Sequence, residues 1–178
     1  GNGNHGTING ATWVFNDENE NVHYVPQEFG TIQSAIDYSI DGDSILVSAG
    51  TYYENINFNG KNIALIGEDR ETTIIDGGQN GSVVTINSNE TENTSLMNFT
   101  IQNGSNVGEA GGVHIHDASP ILKNLTIINN YNDGHHASGI TVFYGNPKII
   151  NTVIKENFSS SGFYCFHSDV EIELSEIS

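Results

Sequence analysis

From about residue 83 onward, apolar and polar residues alternate with a period of two, in short runs that recur. In Gly112-Val113-His114-Ile115-His116, the pattern sends Val113 and Ile115 to one side of a strand and His114 and His116 to the other. Gly139-Ile140-Thr141-Val142-Phe143 and Gly162-Phe163-Tyr164-Cys165-Phe166 repeat it. A second set of runs also superposes: Ser95 to Ile101, Ile121 to Ile127 and Lys148 to Ile154, with Asn98, Asn124 and Asn151 in one column. The steps between repeats are about 23 to 29 residues, the length of one solenoid coil.

These runs predict an all-β chain, a right-handed parallel β-helix built from three-strand coils. Stacked coils align Ile86, Ile115, Val142 and Cys165 in one interior column, and Leu96, Leu122, Ile149 and Ile172 in another. One coil alone could bury neither column. The Asn column suits a sharp corner, because Asn tolerates left-handed backbone and its amide can bond to the next Asn of a ladder. Asn62 is expected to begin that ladder one coil earlier. Asn98 and Asn124 also lie in Asn-x-Thr strings, but a glycan does not fit inside a turn stack. Ile32, Ala35 and Ile36 recur at helical spacing after Thr31, which predicts a short N-terminal capping helix. The expected organisation is a leading segment, 1–30, followed by the solenoid, 31–178. The last run ends without a cap, so the β-helix is expected to be truncated at its C-terminal end, with coils following Ser178.

The stretch from Thr31 through Gly67 resembles the opening of pectin-lyase-like β-helix proteins, which include pectinesterases, pectate lyases and many uncharacterised repeat proteins. The residues that carry the resemblance are Ile32-Gln33-Ser34-Ala35-Ile36, Asp41-Gly42-Asp43-Ser44-Ile45-Leu46-Val47, Gly50-Thr51-Tyr52 and Lys61-Asn62-Ile63, with Ile74-Ile75-Asp76-Gly77 also fitting. These motifs belong to the scaffold and do not specify an activity. The resemblance does imply where a site would lie: on the outward face of the first strand of each coil and its flanking loops.

In this chain that face carries His114, Thr141 and Tyr164 in one row and His116, Phe143 and Phe166 in the next, with Tyr144 and His167 at the edge. Rings pointing outward in successive coils mark a contact surface, and flat rings suit the apolar faces of sugars. The ligand-binding candidates are therefore His114, His116, Phe143, Tyr144, Tyr164, Phe166 and His167. The competing expectation is that a loop such as Tyr131 to His136 folds back over the rings. His114 and His116, with Asp117 and His135-His136 near them, also form a set able to bind Zn²⁺. No catalytic set is recognisable. The columns over His114 and His116 hold no Asp or Glu, Asp117 gives way to Tyr144 and His167, and the few Lys and Arg residues fall elsewhere.

Charge narrows the partners. Five Lys and Arg against 22 Asp and Glu give a formal charge of −17, which repels nucleic acid and anionic membrane surfaces. A neutral polysaccharide escapes that repulsion, whereas an anionic one needs Ca²⁺ to bridge acid to acid. Asn16-Asp17-Glu18-Asn19-Glu20-Asn21 alternates oxygen ligands in the manner of a Ca²⁺ loop. The single cysteine, Cys165, excludes an internal disulfide, and no apolar run reaches membrane-span length. The sequence thus points to a secreted or cell-surface β-helix that binds carbohydrate through an aromatic and histidine face. The alternatives are a structural, adhesive or self-assembling solenoid whose partner is another protein copy, and the N-terminal part of a polysaccharide lyase or hydrolase.

Overall fold

The computed structural model describes residues 5–8, 11–14, 21–134, 136–158 and 161–178, the first two stretches as backbone alone. Three parallel sheets wind around one core as a right-handed β-helix. The first sheet comprises Ile56–Asn57, Val84–Ile86, Val113–His116, Ile140–Phe143 and Phe163–Phe166. The second has seven strands, from Val22–Val25 to Glu171–Glu173, and the third six, from Gly50–Tyr53 to Glu176–Ile177. A strand of the second sheet thus lies ahead of residue 31. An antiparallel hairpin, His5–Ile8 with Ala11–Val14, precedes the coils in the chain.

The register reproduces the columns expected from the alternation. Ile86, Ile115, Val142 and Cys165 pair in succession on the first sheet, as do Leu96, Leu122, Ile149 and Ile172 on the second. All are fully buried except Cys165 and Ile172, which lie on the last described coil and are exposed. Burying one Ile or Leu side chain contributes roughly 1.5–3 kcal/mol, so each added coil is worth several such terms. At the other end the second-sheet column runs through Leu65 and Ile45 to His23. His23 is buried there, bonded through Nε2 to Asp43 at 2.9 Å and met edge-on by Phe29 and Tyr38.

The helix Ile32–Tyr38 covers this end, with Ile32, Ala35 and Ile36 buried. The Thr31 side chain caps it by accepting from the Ser34 amide. Glu54 accepts from the Ile32 and Gln33 amides at 2.9 and 3.0 Å, and Lys61 donates to the last carbonyls, Ile36 and Asp37, at 2.7 and 2.6 Å. Both helix ends therefore meet a side chain of the sign the helix dipole favours.

Two asparagine ladders hold the corners. Asn151 donates to Asn124, and Asn124 to Asn98, at 3.1 and 2.9 Å, with all three residues in the left-handed region. Asn62 does not begin this ladder. The place above Asn98 belongs to Gly67, whose carbonyl accepts from Asn98 at 3.1 Å, while Asn62 sits at the corner before the second sheet and bonds Asp41 and Thr91. The second ladder lies deeper. Asn130, fully buried, donates to Asn157 and to the carbonyls of Ile101 and Ile128, and accepts from the Gly104 amide.

Candidate functional site

The outward side chains of the first sheet form one contiguous field of rings. His114 pairs in register with Thr141 and Tyr164, and His116 with Phe143 and Phe166. The next position in each coil is a left-handed corner occupied by Asp117, Tyr144 and His167, with φ of 52°, 54° and 50°. Side chains that usually avoid this backbone are held there by the stacked strands on either side. Tyr144 and His167 stack with planes 6° apart and centroids 5.6 Å apart.

Phe143 is the hub. It meets the rings of His114, His116, Tyr164 and Phe166 at 6.0–6.4 Å, and that of His136 edge-on at 5.0 Å. Tyr144 meets His116 and Phe166 edge-on at 5.7 and 5.8 Å. All seven sequence-predicted residues thus join one cluster, and His136, which the sequence leaves in a loop, is an eighth member against both Phe143 and Tyr164. Its neighbour His135 lies outside the described residues.

The cluster is covered at one side and open at the other. His114 is 4 % exposed, and Thr141 is fully buried with its hydroxyl donating to the Ala137 carbonyl. His114 and Thr141 therefore lie beneath cover and are not the outward contacts expected from the alternation, whereas Tyr164 in the same row is half-buried. The loop residue His136 also lies against Phe143 and Tyr164, which with His116 are half-buried, while the outermost rings stay open. Phe166 is 41 % and Tyr144 53 % exposed, and His167 is open to solvent.

Electrostatics separate the two rows as well. Burial pushes the His114 imidazole below its ordinary range; Glu109, 3.8 Å from Nε2, opposes the shift and His116 and His136 add to it. Its Nδ1 has no hydrogen-bond partner among the described residues. His116 Nδ1 instead lies 3.2 Å from the Asp117 carboxylate on the exposed side. Among the described residues no group of three or more His, Cys, Asp or Glu is arranged to hold a metal ion. The acidic run Asn16 to Asn21, the Ca²⁺ candidate, falls outside the described residues except for Asn21.

Comparison with known proteins yields no matching family model and no matching curated protein. Among solved structures, a pectin methylesterase mutant in complex with a hexasaccharide is similar, at 15 % identity and a TM-score of 0.48 over 89 % of this chain and 67 % of that one. The pectin methylesterase from Aspergillus niger in a deglycosylated form is similar at 17 % identity and a TM-score of 0.43, over 85 % of this chain and 66 % of that one. The chain therefore spans about two thirds of the length of each.

Proposed function

We propose that the chain is an extracellular or cell-surface β-helix that binds polysaccharide through the open part of the ring field. The observation that carries this reading is the exposed Phe166, with half-buried His116 and Phe143 in its row, beside the stacked and exposed pair Tyr144 and His167. These rings offer flat apolar surface edged by imidazole and hydroxyl groups, the combination that seats a pyranose ring and orients its hydroxyls. The charge of −17 favours a neutral glycan, or an anionic one bridged by Ca²⁺.

The test is a glycan-array screen with and without Ca²⁺, comparing the chain with a Phe143→Ala/Tyr164→Ala/Phe166→Ala variant. Binding that the variant loses is the expected result. An empty array under both conditions overturns the reading. The exposed rings also favour a second reading, contact with another copy of the chain, and loss of self-association in the same variant would support it.

A further inference from the structure

A second opening lies at the corner that follows the third sheet. It encloses about 330 Å³ and is lined by Gln79, Asn103, Ser105, Asn129, Tyr131 and Phe158, none of which belongs to the ring field. Gln79, Asn103 and Asn129 follow three successive strands of the third sheet, Thr73–Asp76, Thr100–Gln102 and Thr126–Ile128, and all three are left-handed. Amide-bearing residues from three stacked coils thus line one cleft.

The two rings are also set by the stack. Tyr131 bridges in parallel to Phe158 one coil on, above the buried ladder of Asn130 and Asn157, and the rings are 45 % and 59 % exposed. The Tyr131 hydroxyl donates to Asp133 at 3.0 Å, which fixes its ring. Asn103 donates to Asp76, whose carboxylate also accepts from Gln102 and Gly78 and so faces the scaffold.

No lining residue is charged, in a chain with 27 charged side chains (22 acidic and 5 basic). Two exposed aromatic residues sharing a lining with amide-bearing ones match the mixed apolar and hydrogen-bonding surface of an uncharged sugar. A cation would find no carboxylate in the lining, and an anion no cation. We propose that this cleft is a separate subsite for one or two residues of a neutral glycan. It shares no residue with the ring field and stands independently of the function proposed there.

The test is an NMR titration of the chain with cellotetraose, xylotetraose and mannotetraose, with trigalacturonate as the anionic control. Shifts of the Asn103 and Asn129 side-chain amides and the Tyr131 and Phe158 rings are expected with at least one neutral probe and not with trigalacturonate. Tyr131→Ala/Phe158→Ala should weaken that binding about tenfold or more, a loss of at least ~1.4 kcal/mol. The same signals should still respond in Phe143→Ala/Phe166→Ala, which separates this site from the ring field. The proposal is overturned if no neutral probe shifts these signals in the unaltered chain, or if trigalacturonate shifts them equally. It is also overturned if they move with protein concentration alone, which would assign the rings to self-contact.

Discussion

The imidazole of His136 stands edge-on to the ring of Phe143, with planes 89° apart and centroids separated by 5.0 Å. Through this contact the loop ahead of Ile140–Phe143 is fastened to the outer face of the first sheet. Phe143→Ala removes the hub of the ring field and is expected to cost about 2 kcal/mol, below the range for a fully buried Phe because this one is only half buried. Hydrogen exchange should accelerate at Ala137 and Ser138, and unchanged exchange there would show that the loop is held by other contacts.

The two ladders differ in burial and should differ in cost. Asn130→Ala leaves the Gly104 amide and the Ile101 carbonyl without their partner in a dry interior, at about 1–3 kcal/mol for each stranded group. Asn124→Ala cuts a less buried amide chain and is expected to cost about 1 kcal/mol, plus strain from its left-handed backbone. Asn124→Gly should recover the strain part. Urea unfolding of the three variants orders these costs, and equal losses for Asn130→Ala and Asn124→Ala would contradict the assignment.

His114 gives stability a pH dependence near neutrality. Because its folded pKa is lowered, the unfolded chain takes up a proton that the folded chain refuses. Stability should therefore fall as the pH drops below the ordinary histidine value, about 6.5, and level off below the folded pKa. One proton allows a slope of up to about 1.4 kcal/mol per pH unit. His114→Gln should flatten this limb, and an unchanged slope between pH 6.5 and 5 would remove His114 as its source.

A separate acid limb belongs to Asp43 and Asp76. Burial raises the pKa of each, but hydrogen bonds outweigh it, from Ile40, His23 and Asn21 in the first case and from Gln102, Gly78 and Asn103 in the second. With folded values lowered, their contribution is present above the unfolded value, about 3.9, and is lost as the pH falls through the folded one. Asp43→Asn and Asp76→Asn should each lower stability at neutral pH and make it less sensitive to acid below about pH 4. A variant as acid-sensitive as the parent would exclude that carboxylate.

Glu54 and Lys61 hold opposite ends of the covering helix. Glu54→Ala strands the Ile32 and Gln33 amides and is expected to cost about 1–2 kcal/mol, within the range of a lost N-cap. Protection of the Ile36 and Ser39 amides should fall with it. A change below a few tenths of a kcal/mol would mean that water replaces the carboxylate without penalty.

Much of this architecture is legible in the sequence because the side-chain period is two and the coils stack in register. Ile115 over Val142, Leu96 over Leu122, and the helix beginning after Thr31 all follow from that. The ladder of Asn130 and Asn157 does keep a fixed place, two residues after each third-sheet strand, but Gly104 stands there one coil earlier, so the column holds only two asparagines and is easily passed over. Asn62 misleads because an asparagine before a strand looks alike at any of the three corners. His114 illustrates a further limit: alternation tells which side of a sheet a residue faces, but not whether a loop covers that side. The ring pair of Tyr131 and Phe158 leaves no periodic signal, since only one pair of coils carries it.

The parallel register has a consequence for how damage spreads. Strand pairing links each coil only to the coil before it and the coil after it, so a defect at Phe143 is felt by the strands of His116 and Phe166 but has no direct strand-to-strand route to the helix end at Asp43. The chain should behave as an array of coupled units, able to open at one end while the other stays wound. A calorimetric trace broader than one all-or-none transition would be the signature of such a molecule, and single-coil lesions would shift only part of it.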